Sequence, residues 1–219
     1  SKAAQRLIAE CGPDAFYCGP IADQIVLEIR AGGGLITKDD LAAYRANMRR
    51  PIHGTYRGHD IFAPSPPSSG GIALVEMLNI LEHFDLAGQG RDSAATIHQM
   101  TEAMRRAYFD RAMHVGDPAF NDVPIARLTS KAYARDFAAE ISTATRATPS
   151  EKLGKDVLAP VEGESTTHFS IVDTDGNAVA NTYTLQDSYG SYVVVRGAGF
   201  LLNNEMTDFN LQPGMTDRK

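Results

Sequence analysis

Close to residue 164 the spacing of the apolar residues changes character, which limits the chain to folds in which a helical region precedes a set of strands. Upstream, Ile21, Ile25 and Ile29 recur at helical intervals between Ile21 and Arg30, and Gly32, Gly33 and Gly34 follow where a C-terminal cap sits. Thr37 followed by Asp40 reads as a capping box with Asp in place of Glu, opening a short helix through Tyr44. Pro51 to Thr55 and His59 to Phe62 read as a small hairpin turning at Arg57-Gly58. The run Pro64 to Gly71 is an irregular connector, because its prolines lack amide donors and bias the residues before them away from helix. A strongly apolar helix is expected from Ile72 to Phe84. Asp92-Ser93 caps a long amphipathic helix to about His114, and Ser130 caps another through Ile141. Downstream of residue 165 the alternation is strand-like, over Thr166 to Val172, Ala178 to Leu185, Tyr192 to Val195 and Gly199 to Leu202. The expected class is α+β: a mostly helical part over 1–145, a mobile linker over 146–165 and a β-rich part over 166–219.

Composition narrows the function. The 219 residues are 43% hydrophobic and 22% charged, an ordinary globular balance, and the formal charge of −6 offers no basic face for a nucleic-acid backbone. No apolar run reaches the ~18 residues of a spanning helix, and Ser1-Lys2-Ala3-Ala4 lacks the layout of a signal peptide, so no address is expected within these residues. Cys11 and Cys18 flank a Gly-Pro turn outside any metal-binding spacing and read as free structural thiols, a local disulfide being the alternative. The six histidines lack metal-ligand spacing, and neither metal nor cofactor is expected.

The richest segment is Thr166 to Thr184. Asp175-Gly176 between two β-patterned runs signals a hairpin, and a three-residue loop, Thr174-Asp175-Gly176, puts glycine in the left-handed position. Thr166 lies as far before Asp175 as Thr184 lies after it. The two are therefore expected to face each other, with Cβ atoms about 4.5–5.5 Å apart. The alternation sets Thr166, His168 and Ser170 on one face and Thr167, Phe169 and Ile171 on the other, so a slip of one residue would present Thr167 instead. Threonine is also a good strand former, and facing threonines alone prove no chemistry.

Thr166-Thr167-His168-Phe169-Ser170, Asp175-Gly176-Asn177-Ala178-Val179, Thr182-Tyr183-Thr184-Leu185 and Tyr189-Gly190 together resemble the signature of γ-glutamyltranspeptidases, which begins at the threonine that heads the small subunit. Leu201-Leu202-Asn203-Asn204-Glu205-Met206 and Asp208-Phe209 resemble that family's second block. Gly33-Gly34-Leu35-Ile36, the Pro64 to Gly71 run, Asp110-Arg111 and Gly116-Asp117-Pro118 resemble the end of its large subunit.

The resemblance implies an N-terminal-nucleophile (Ntn) hydrolase with an αββα sandwich, of which this segment is an incomplete part. It implies self-cleavage at the Ser165–Thr166 bond, with Thr166 as nucleophile and Thr184 orienting its hydroxyl. A threonine hydroxyl needs a base, and the α-amine freed by cleavage, with a reference pKa of about 7.7–8.0, supplies one. The implied partners are a small γ-glutamyl compound such as glutathione and a water or amino-acid acceptor. Gln186, Glu205 and Asp208 match positions that hold the glutamyl α-ammonium, although solvated acids on a loop are the ordinary fate of Glu and Asp. His168 reads as a structural polar residue. Periplasmic or extracellular location is implied too.

Two departures temper the match. Gln186 stands where the family has Asn, sometimes Glu, and its extra methylene leaves a glutaryl or cephalosporin acylase as an alternative; Thr207 replaces a frequent Asp. The resemblance also puts an arginine for the substrate carboxylate before Ser1, and the serine and glycine segment of the oxyanion hole after Lys219. The 219-residue segment by itself is therefore expected to be nearly inactive. A different class of reading is a non-catalytic module that self-associates through open sheet edges.

Overall fold

The computed structural model describes residues 2–142, 146–154 and 166–209. In chain order the first part runs α1 (Lys2–Cys11), α2 (Asp14–Tyr17), α3 (Pro20–Ala31), α4 (Lys38–Ala43), β1 (Ile52–Tyr56), β2 (His59–Ala63) and α5 (Gly70–Leu81). There follow α6 (Leu86–Gln89), α7 (Ala94–His114), α8 (Ile125–Leu128), α9 (Lys131–Glu140), α10 (Ser150–Leu153), β3 (Thr166–Val172), β4 (Ala178–Thr184) and a 3-10 turn, Glu205–Asp208. The class is α+β, with helices and, among the described residues, two separate antiparallel hairpins. Packing divides the chain into two compact units, Ser1–Asn47 with Val161–Asp208 and Met48–Pro160 with Phe209–Lys219. The packing division adds a boundary between Asn47 and Met48 that the change of period does not mark.

In the first unit the caps act where the sequence writes them. Thr37 accepts from the Asp40 N–H, and the Asp40 carboxylate accepts from the Thr37 N–H, closing the capping box of α4. Ala4, Ile21 and Ile25 bury against Val195 and Ala198, with Phe16 stacked on Phe200. Here an expectation fails, since Tyr192 to Val195 and Gly199 to Leu202 are not strands. They share only an isolated antiparallel bridge, Val194 to Leu201, because Tyr192, Gly197 and Gly199 have left-handed backbones that break the extended runs. The segment doubles back and delivers Val195 and Ala198 to the core.

In the second unit β1 and β2 pair from Ile52↔Ala63 to Tyr56↔His59 around the left-handed Arg57-Gly58 turn, as expected of a two-residue hairpin. Ile52 joins Ile72 and Val75 of α5 with Val123 and Leu128 in one cluster. A second cluster joins Ile80 and Leu81 of α5, Ala103 of α7 and Ala134 and Ala138 of α9. Helix α5 starts at Gly70, inside the stretch read as connector, and ends at Leu81. A Cβ on Gly71 would lie 2.0 Å from the Pro64 carbonyl oxygen, so the glycine lets the helix start against the proline run.

Helix α7 starts at its Ser93 cap as expected, but reverses the usual polarity of an amphipathic helix. Ile97, Met100 and Met104 are exposed, whereas Gln99, Glu102, Arg106 and Asp110 are buried. The inward charges are compensated. Glu102 accepts from Arg106 Nη1 at 2.7 Å, Arg105 Nη1 at 2.6 Å and the Thr148 N–H at 3.2 Å. Burial works against that charge, but the hydrogen bonds from Thr148, Arg106 and Arg105 outweigh it and hold the carboxyl down at about 2. Ala103 packs against Ile80 and Leu81 of α5, and Ala107 is likewise fully buried. The same network reaches into the stretch read as a linker, where Arg105 also donates to the Thr148 carbonyl and the Ser150 hydroxyl. The rest of that stretch, with Ser165, lies outside the described residues.

Candidate active site

The hairpin of β3 and β4 is built from its loop outward. Asp173 N–H donates to the Asn177 carbonyl at 3.0 Å, and Gly176 N–H donates to the Asp173 carbonyl at 3.2 Å with glycine at φ 84°. The Asp173 carboxylate accepts from Asn177 Nδ2, then from the backbone of Asn177 and of Asp175, bonds that hold its pKa below the usual value. The three-residue loop sets the register, and Thr166 faces Thr184.

That register lines one face of the ribbon with polar groups. Thr166 Oγ1 and Thr184 Oγ1 are 3.4 Å apart, long for a hydroxyl pair, and Thr166 is exposed to solvent. Farther along, His168 Nδ1 pairs with Thr182 Oγ1 at 2.6 Å and Nε2 with Ser170 Oγ at 3.3 Å, so both ring nitrogens are engaged away from the threonine pair.

Immediately after β4 the backbone reverses at Gln186, which is buried and has φ 78°, a region non-glycine residues rarely occupy. This conformation aims the Gln186 N–H at Thr184 Oγ1, 2.8 Å away. Thr184 Oγ1 thus accepts both from the Gln186 N–H and from the Thr166 hydroxyl.

Glu205 and Asp208 sit half-buried on the 3-10 turn. Glu205 N–H donates to Asn203 Oδ1, and Asn204 fastens the turn to the strand end, its N–H donating to the Leu185 carbonyl and its Nδ2 to Asp187 Oδ2 at 2.6 Å. Nearby, Ser191 donates through both its N–H and its hydroxyl to the Leu202 carbonyl. A Cβ on Gly190 would lie 2.2 Å from that same oxygen. Thr166, Thr184 and Gln186 thus form one connected group, and the acidic turn joins it through Asn204. The pairing of Asp187 with Asn204 went unread from the sequence, where nothing links two polar residues so far apart.

The chain matches the γ-glutamyltranspeptidase family over residues 3–219. It belongs to that family. The glutathione hydrolase proenzyme of Escherichia coli (strain K12) is 51% identical over 209 residues, covering 95% of this chain and 36% of the relative. Among solved structures, the γ-glutamyltranspeptidase of Helicobacter pylori superposes with a TM-score of 0.67 at 41% identity, over 68% of this chain and 43% of that one. The cephalosporin acylase of Bacillus halodurans superposes with a TM-score of 0.81 at 32% identity, over 99% of this chain and 38% of that one. The chain therefore spans little more than a third of the E. coli relative's length.

The family blocks in the second unit have structural partners. Asp110 accepts from the Tyr133 hydroxyl at 2.7 Å, and Arg111 Nε donates to Ser69 Oγ at 2.7 Å, fastening the proline-rich run to α7. Among the described residues, no helix is long and apolar enough to cross a membrane.

Proposed function

We propose that the chain carries the nucleophile of a γ-glutamyl-transferring amidohydrolase, and that the Thr166–Thr184–Gln186 group is its reacting centre. Cleavage of the Ser165–Thr166 bond turns the Thr166 amide nitrogen into an α-amine. That amine takes the Thr166 hydroxyl proton as Oγ attacks the γ-carbonyl of the donor. Collapse of the tetrahedral species breaks the C–N bond, the departing amine accepts the proton, and a γ-glutamyl ester remains on Oγ. Water then gives hydrolysis and an amino-acid amine gives transfer. Thr184, itself held by the Gln186 N–H, hydrogen-bonds the Thr166 hydroxyl and orients it toward the substrate. Gln186, Glu205 and Asp208 bind the donor's α-ammonium. The carrying observation is the hydroxyl pair at 3.4 Å on an exposed strand, a spacing that tightens when substrate fills a site.

A glutaryl-type acylase is the second reading, favoured by one feature: the buried, left-handed Gln186 differs from the family's usual residue, and a cephalosporin acylase is among the solved neighbours. Mass spectrometry of the complete polypeptide should detect a chain starting at Thr166 that a Thr166→Ala variant lacks. Turnover of γ-glutamyl-p-nitroanilide well above glutaryl-p-nitroanilide then assigns the acyl group; the reverse ranking selects the acylase, and a chain that stays intact removes both. Export to the periplasm or cell exterior belongs to this proposal. Self-association through the edges of the β3–β4 ribbon is a separate suggestion, checked by sedimentation of the 219-residue segment.

A further inference from the structure

Asn204 uses every polar group it has. Its N–H donates to the Leu185 carbonyl at 3.1 Å, its Nδ2 to Asp187 Oδ2 at 2.6 Å, and its Oδ1 accepts the Asp187 N–H at 3.1 Å. Its carbonyl accepts both the N–H and the hydroxyl of Thr207 at the heart of the acidic turn. Asp187, for its part, directly follows the left-handed Gln186. The two-bond ring between Asp187 and Asn204 therefore bridges the turn whose N–H holds Thr184 and the turn that presents Glu205 and Asp208. Neither residue has been given a role in the chemistry above.

We infer that Asp187 and Asn204 are a positioning pair, which locks the 184–187 turn to the 204–208 turn and thereby sets affinity for the ammonium end of the acyl donor. The inference rests on the reading of Gln186, Glu205 and Asp208 as that ammonium's site. A pair acting this way lowers KM and leaves the chemical step nearly untouched, because Thr166 and its amine lie on a strand whose register the Asp173 loop already holds.

The test swaps the partners in the complete polypeptide. Asn204→Asp sets two carboxylates against each other and should raise KM for γ-glutamyl-p-nitroanilide by about tenfold, the order expected for losing a charge-assisted hydrogen bond, with kcat altered by less than about threefold. Asp187→Ala should do the same. Combining Asn204→Asp with Asp187→Asn rebuilds the ring with donor and acceptor exchanged and should bring KM back to within about threefold of wild type. Wild-type KM in both single variants, or a swapped double no better than Asn204→Asp alone, overturns the inference. If Asn204→Asp fails to mature at Thr166, recovery of maturation in the swapped double supports the pair, and its absence overturns it. A wild-type protein that turns over no γ-glutamyl donor sinks the parent reading and this inference with it, whereas wild-type turnover with unmoved KM values sinks this inference alone.

Discussion

The two hairpins contain similar residues and serve different ends. The β1–β2 ribbon turns tightly through Arg57-Gly58, presses Ile52 into an apolar cluster with α5 and buries Ala63 opposite it. The β3–β4 ribbon turns through a loop braced by the Asp173 carboxylate, and nearly all its residues face solvent, with hydroxyls and an imidazole along one side. Threonine occurs in both. In β1, Thr55 offers its carbonyl to Lys131 Nζ at 2.7 Å and its side chain is exposed, whereas Thr184 receives an N–H and faces a second hydroxyl. What separates a packing hairpin from a reactive one is therefore the partner across the strand, which register determines.

Removing the same hydroxyl from each ribbon tests this most sharply. Thr184→Ala should lower kcat for γ-glutamyl transfer by on the order of a hundredfold, the size of effect typical when a group orienting a proton transfer is lost. Thr55→Ala should leave it within about twofold, as surface changes remote from a site generally do. Steady-state kinetics on both variants decides the matter, and equal losses would dissolve the distinction.

The support beneath the first hairpin weakens as pH rises, the opposite sense to the Asp173 carboxylate that braces the second, whose lowered pKa makes its contribution weaken as pH falls. Helix α5, which the ribbon covers, carries Glu76, pushed up to about 9 by burial first and then by the neighbouring Asp110 carboxylate, with Arg127 partly opposing. Its folded pKa lies above the ordinary 4.5, so the folded state holds a proton that the unfolded state releases, and stability falls as pH rises from about 4.5 toward about 9. Glu76→Gln removes that loss. Its stability advantage over wild type should grow between about pH 6 and about pH 8 by at most roughly 3 kcal/mol, since each unit carries about 1.4 kcal/mol per proton. Thermal melts at the two pH values test it, and a constant difference would place the proton elsewhere.

Much of this was legible because it depends on local rules. Loop length and alternation put Thr166 opposite Thr184, and the caps at Thr37, Ser93 and Ser130 followed from side chains that accept from the third N–H onward. The failures arose where distant residues decide. Nothing local announces that Tyr192 is left-handed, or that Gly197 and Gly199 fold Val195 and Ala198 back onto Ala4 and Ile21. The inverted α7 was illegible for a similar reason: the apolar stripe of Ile97, Met100 and Met104 reads as the buried face until Thr148 and Tyr133, from other segments, supply partners for Glu102 and Asp110. In the site, family resemblance pointed to Gln186, but its backbone conformation and the Asn204 bridge depend on tertiary contacts.

Glycine substitution distinguishes the two ribbons by mechanism. A Cβ on Gly54 in β1 would lie 2.6 Å from Val75 Cγ1 and 2.9 Å from Cγ2. Val75 is β-branched, helical and buried, so it has few rotamers with which to yield. Gly54→Ala should therefore cost about 2 kcal/mol of stability through overpacking.

Gly176 in the β3–β4 loop meets nothing within 4 Å at that position, so sterics across the fold cost nothing there. Its φ of 84° is the whole constraint. Gly176→Ala should cost about 1 kcal/mol, the penalty for an L-residue with a left-handed backbone, while Gly176→Asn should recover most of it because asparagine tolerates that region. The recovery is the discriminating part. Asparagine is larger than alanine, so if crowding were the cause it would be the worse substitution, and denaturant melts of the pair separate the two causes. At Gly54 the same pair should rank the other way, alanine above asparagine, because there the obstacle is Val75 and added volume can only deepen the clash.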